Sequence, residues 1–140
     1  MRSDPPVAAR FPHWTVERIR FGDIDRYNHV NNVAYATYSE AARLALLTAL
    51  DGFADDGFWV IKRLTIEYLA ETRYPGEVRI GSCIPHAGRS SVTIAQAMFA
   101  AERCVASADC VVVWLSAKTR KPVSMPTGLR ARLLEMGPRA

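Results

Sequence analysis

The chain has 140 residues, of which 49% are hydrophobic and 23% charged, proportions that suit one globular domain with a sizeable core. Its formal charge of +4 and pI near 9.2 favour anions, but the basic residues are scattered apart from short groups such as AKTRK and LRAR. That scatter suits a phosphorylated small molecule, and with no aromatic residues interleaved along a basic stretch it argues against nucleic acid.

In chain order, residues 1–12 carry Pro5, Pro6 and Pro12 among small and charged residues and predict a flexible N-terminal arm. HWTVERIRF (residues 13–21) alternates imperfectly through Trp14, Val16, Ile19 and Phe21 and predicts a strand. Residues 22–30 break the pattern. Asn31 or Asn32 then supplies an N-cap, and a helix is expected from about Asn32 to Leu50, stopped by Asp51 and Gly52. Its apolar residues leave only a thin polar stripe through Thr37, Glu40 and Arg43, so it must be covered on most sides.

Four strand-like runs follow the helix: residues 58–69, 77–84, 91–99 and 104–116. Val78, Ile80 and Ile84 share one face, as do Val92, Ile94 and Met98. The separators RYPG, HAGR and AAER suit tight connections between antiparallel neighbours, so a four-strand meander is expected. A curved antiparallel sheet wrapped around one long helix, an α+β architecture, is the economical arrangement. It would occupy residues 13–126, with a short surface helix and tail over 127–140.

Cys83, Cys104 and Cys110 form no CxxC pair and read as small buried fillers. His13, His29 and His86 lack ligand spacing, so no metal is expected. No run reaches the roughly 18 apolar residues of a membrane span, and MRSDPPVAARFPHW has no apolar leader core. A reducing, cytoplasmic setting without membrane partners is the simplest expectation.

The densest chemistry lies at 23–32, where Asp23, Asp25, Asn28, His29, Asn31 and Asn32 precede the apolar helix. Turns and caps account for one or two such side chains. The remainder are expected in or beside a semi-buried cleft. A helix N-terminus presents unpaired N–H groups to a carbonyl oxygen that gains charge in a reaction, and a nearby carboxylate would face the carbon of the same group. This is a constellation for acyl transfer; no G-x-S-x-G elbow points to a serine hydrolase.

FGDIDRYNHVNNVAYATYSEAAR resembles the signature of the hot dog fold thioesterases of the 4-hydroxybenzoyl-CoA and long-chain acyl-CoA type: D-x-D-x-x-x-H-V-N-N-x-x-Y, then E-x-A-R. FWVIKRLTIEYLAETRYPGEVRI resembles the family's second and third strands, GRSSVTI the start of its fourth, and AKTRKPVSMP the end after its last. The resemblance implies a hot dog fold and an acyl-CoA thioesterase that releases a carboxylic acid and free coenzyme A, with coenzyme A present only as part of the substrate. It assigns the catalytic carboxylate to Asp25, as nucleophile or as general base toward water, and the carbonyl-polarising N–H to Asn32. His29 and Asn28 become groups that orient the acid or water, and Arg89, Ser90 and Ser91 fall where relatives hold coenzyme A phosphates. It also implies a homodimer, or a homotetramer built as a dimer of dimers.

Around that assignment, Asp23 reads first as a turn or cap residue. Glu40 and Arg43 read as a helix-surface ion pair or subunit contact, with Glu40 a minority catalytic candidate. Tyr35 and Tyr38 read as core or acyl-pocket walls, and Lys62, Arg63, Arg120 and Lys121 as weaker phosphate candidates. Many relatives have Gly at Asn28, and the 4-hydroxybenzoyl type lacks H-V-N-N, which favours the broader acyl-CoA group. The alternatives are a hydratase or dehydratase of the same fold and a non-catalytic acyl-CoA binder.

Overall fold

The Asn31 side chain accepts the Ala34 N–H at 2.9 Å, pairing a donor that the first helical turn leaves free. From that cap α1 runs Asn32–Ala49, and the chain leaves it through Asp51, which turns left-handed at φ 52°. Strands β1 (His13–Arg18), β2 (Gly57–Tyr68), β3 (Glu77–Ala87), β4 (Ser91–Ala100) and β5 (Arg103–Ser116) accompany it, with a short α2 at Leu129–Leu134. They form one antiparallel sheet curved around α1. The computed structural model describes residues 4–140, so Met1 to Ser3 of the expected arm lie outside the described residues.

The strand order is β1-β3-β4-β5-β2, which corrects the expected four-strand meander. β3, β4 and β5 do follow one another, and the β4–β5 turn uses Ala101 and Glu102 at φ 49° and 67°, the left-handed pair of a two-residue hairpin. β2, however, pairs with β5 from Gly57↔Ser116 to Tyr68↔Ala106. β3 takes β1 as its other neighbour, from His13↔Ser82 to Arg18↔Glu77. Residues 69–76 are therefore a crossing over one end of the sheet. Along it, Leu69 and Ala70 donate to the Val105 carbonyl, Thr72 accepts from Val30, and Gly76 accepts from Ile19. A short polar separator reads alike whether the chain turns back on itself or crosses to another edge.

Boundaries moved in two other places. β1 stops at Arg18 and Phe21 enters a 3-10 turn, Phe21–Asp23. β3 continues to Ala87, its register shifting between Cys83 and His86, an irregularity that admits Pro85.

The core between α1 and the sheet has two parts. Tyr38 and Ala42 pack with Ile80 and Met98, while Leu46 and Leu47 pack with Ile84 and Ile94. The residues between them are polar. Buried Gln96 accepts from the Ser39 hydroxyl and donates to the Ser39 carbonyl and the Ser82 hydroxyl. Arg43 is also buried, at 7% exposure, and donates to the Ser39 hydroxyl at 2.9 Å. Arg43 thus leaves the expected surface stripe and makes no ion pair with Glu40 among the described residues. Full cover of α1 is likewise corrected: Val33 is 75% and Leu44 50% exposed. α2 buries Leu129 and Leu133 in the second part of the core.

On the outer face of the sheet, Phe11 from the proline-rich segment is buried with Cys83, Ala97 and Phe99. A Cβ on Gly81 would lie 2.7 Å from the Phe11 Cβ, so glycine is what admits that ring. The three cysteines are free thiols.

Gln96→Leu is expected to lower stability by about 1–3 kcal/mol in urea unfolding, because buried partners lose their bonds. Adding Ser39→Ala is expected to cost less than the two changes summed, since paired polar groups are then removed together. Strict additivity would contradict the network.

Candidate active site

The segment from Ile19 to Asn31 is tied to the helix it precedes. Asp23 Oδ2 accepts the Arg20 N–H at 2.8 Å and the Tyr38 hydroxyl at 2.7 Å. Both bonds are structural, in keeping with the turn reading of Asp23. Burial, and then the Asp23 carboxylate, push the Tyr38 phenol well above its ordinary range. Ile24 and Val30 form a bridge that closes residues 25–29 into a small loop. Asn28 sits there at φ 59°, the left-handed region where glycine is unstrained and asparagine is tolerated. Glycine would adopt the same geometry without strain.

Asp25 occupies the neck of this loop. Its N–H donates to the His29 carbonyl at 2.8 Å, and its Oδ1 accepts the N–H groups of Tyr27 and His29 at 2.8 and 3.2 Å. No hydrogen bond to Oδ2 forms among the described residues. The Tyr27 N–H is the main cause that holds the carboxyl below its usual value; burial opposes it, and the His29 N–H and imidazole charge add to the lowering. Asp25 is an ionised carboxylate with one oxygen fixed and the other free.

A cavity of about 290 Å³ opens beside it, bounded by Asp25, His29, Asn32, Tyr35, Tyr68 and Glu71. The structure thus brings Asp25, His29 and the first residue of α1 together at one cavity. Tyr35 is a wall, buried at 3% exposure, and its hydroxyl reaches Thr72 Oγ1 at 3.2 Å. Among the lining residues that were not anticipated, two carry polar side chains. Glu71 Oε2 lies 3.2 Å from His29 Nε2 and 3.9 Å from Arg73 Nη2, and Tyr68 donates its hydroxyl to the Asn32 carbonyl at 3.3 Å. Both come from the end of β2 and the crossing, so no local pattern around Asp25 pointed to them.

Arg89, Ser90 and Ser91 are elsewhere. They enter β4 where Ser91 pairs with Val113, whereas the cavity lies beside Leu69 and Ala70, which bond to Val105. β4 spans ten residues between those ends, about 30 Å at strand rise. Arg89 reaches Ser124 at 3.4 Å, and Arg120 covers the Phe58 ring at 5.0 Å. Glu40, exposed on α1, does not line the Asp25 cavity. Among the described residues no group of three or more His, Cys, Asp or Glu is placed to hold a metal. No helix among them is long and apolar enough to cross a membrane.

Solved structures similar to this one include the PA5185 protein of Pseudomonas aeruginosa strain PAO1 (TM-score 0.90, 25% identity, covering 98% of this chain and 99% of that one). A thioesterase superfamily protein from Jannaschia sp. CCS1 matches with TM-score 0.82 and 25% identity over 89% of this chain and 82% of that one. A thioesterase from Thermus thermophilus, solved in complex with coenzyme A and zinc, matches with TM-score 0.76 and 29% identity over 88% of this chain and 98% of that one. No curated protein matches the chain. Residues 19–133 match the family described as the thioesterase-like superfamily, a span holding the whole Asp25 loop, α1 and most of the sheet, and the hot dog chain described here belongs to that superfamily.

Proposed function

We propose that the protein is an acyl-CoA thioesterase that hydrolyses an acyl-CoA to a carboxylic acid and free coenzyme A, with Asp25 as its catalytic carboxylate. The observation that carries this is the Asp25 side chain itself: ionised, held at Oδ1 by two backbone N–H groups, and free at Oδ2 beside the start of a helix. Support for the coenzyme A ester comes from the superfamily match and from the coenzyme A complex of the Thermus neighbour.

The thioester oxygen would lie against the Asn32 N–H, where the helix dipole favours developing negative charge. Asp25 then acts in one of two ways. As general base it takes a proton from water while the water oxygen adds to the carbonyl carbon; as nucleophile it forms an anhydride that water cleaves. In both, the C–S bond breaks and the sulfur leaves as thiolate, which needs little acid assistance because a free thiol has a pKa of about 8.5. Glu71 holds His29 Nε2 and so orients the imidazole at the cavity wall rather than touching the ester.

We also propose a homodimer, with a dimer of dimers as its extension. β2 is an open sheet edge of 12 residues that carries exposed Ile61 and has exposed Val33 of α1 beside it, and unprotected edges of that length pair readily. A two-fold axis through antiparallel β2 strands would bring a second copy's 89–91 turn to the same end of the joined sheet as Asp25. The expected phosphate contacts of Arg89, Ser90 and Ser91 would then be made across the subunit boundary.

Free thiol release from short, long and aromatic acyl-CoAs tests the reading. Asp25→Asn is expected to lower kcat by about 10²–10⁴ with ester binding retained; wild type that binds the esters and releases no thiol would instead be a binder. Because the Asp25 pKa lies below the ordinary 3.8, and activity requires the ionised form, kcat/KM should fall only as pH drops through that lower value. An acid limb near pH 6 that persists in His29→Gln would contradict the assignment. Glu71→Gln is expected to reduce kcat/KM by up to about fivefold, the scale of an exposed ion pair.

A further inference from the structure

The last residue of β2 stands between two compartments. On one side of Tyr68 is the polar cavity of Asp25, His29 and Glu71. On the other is a trough of about 360 Å³ between α1 and β2, lined by Val33, Ala36, Leu64 and Ile66. Asn32 and Tyr68 belong to both. The Tyr68 ring is fixed at this threshold by an edge-on contact with Tyr35, centroids 5.4 Å apart, and by its hydroxyl bond to the Asn32 carbonyl.

We infer that Tyr68 is a specificity-determining residue that directs an aliphatic acyl chain from the Asp25 cavity into the α1/β2 trough. The inference rests on the thioesterase reading and adds the class of acyl group. A thioester carbon carries two arms. The coenzyme A arm has amides and phosphates, which cannot run along an apolar wall without losing hydrogen bonds; the acyl arm can. The trough begins at Asn32, the residue proposed to polarise the carbonyl, so an ester seated there has its acyl carbon next to the Tyr68 ring. No charged side chain of this subunit lines the trough, and its four remaining walls are aliphatic; its open side faces the β2 edge proposed to meet a second copy, so a flexible hydrocarbon chain gains contact along its length there. Ala36 leaves the space: it is the smallest wall residue, one turn into α1 from Asn32.

The test is the ratio of kcat/KM for decanoyl-CoA over butyryl-CoA, with benzoyl-CoA as an aromatic comparison, in wild type, Ala36→Leu, Tyr68→Phe and Tyr68→Ala. Wild type should favour decanoyl over both other esters. Ala36→Leu fills the trough and should lower the decanoyl-to-butyryl ratio by about tenfold, the scale of a few buried methylenes. Tyr68→Phe keeps the ring and should keep the ratio, while Tyr68→Ala should reduce it and raise the share of benzoyl turnover. Unfolding midpoints of the four proteins establish that the comparison is made on folded enzyme. An unchanged ratio in folded Ala36→Leu or Tyr68→Ala overturns this inference and leaves the thioesterase reading standing. Absence of thiol release from every ester in wild type overturns both.

Discussion

The side-chain amide of Gln96 sets where the long helix rests on the sheet. It is buried at 2% exposure, and its oxygen and both its N–H groups are paired, two of the three bonds going to Ser39 of α1. Displacing the helix by one turn, about 5.4 Å, would leave those groups unpaired in a dry interior, where each lost bond costs about 1–3 kcal/mol. Apolar packing on either side is less specific, since apolar side chains of similar volume replace one another with modest loss. The polar layer therefore gives α1 its height, and with it the position of the first helical residues against Tyr68 and the crossing.

With the helix fixed, the preceding loop has little freedom. Asp23 is bonded both to its own turn and to Tyr38 on α1, and the Ile24–Val30 bridge closes the remainder. Asp25 is thus held by backbone groups instead of by other side chains. Backbone N–H donors cannot titrate, so the carboxylate keeps its charge without a neighbouring cation that would occupy the space an ester needs. A polar cluster at the mouth of a largely buried helix is explained in this way: part of it builds the loop, and a smaller part faces the cavity.

The helix and its cap were legible because they are local: an N-cap oxygen and a hydrophobic period act within a few residues. The inner faces of β3 and β4 were legible for the same reason, alternation being a property of one strand. Strand order was not, because the period of β2 is the same beside β3 as beside β5. Arg43 was misplaced since helix spacing sets it next to Glu40, whereas the buried Ser39 hydroxyl draws it inward. Glu71 and Tyr68 escaped notice because their partners, His29 and Asn32, are separated from them by 42 and 36 positions, and nothing in a linear reading joins them.

Those separations bear on how the molecule assembles. Hairpins such as β4–β5 close between residues near each other in the chain, while the contacts of the crossing with the 25–32 loop, such as Val30 with Thr72, join residues 42 positions apart. Contacts between distant segments carry the larger loop-closure entropy and tend to form late. The cavity wall is therefore not complete when the hairpins are, and a chain holding only its local contacts would have the carboxylate loop without its opposite side. On the thioesterase reading proposed above, thiol release would accordingly report that the crossing has docked against the carboxylate loop.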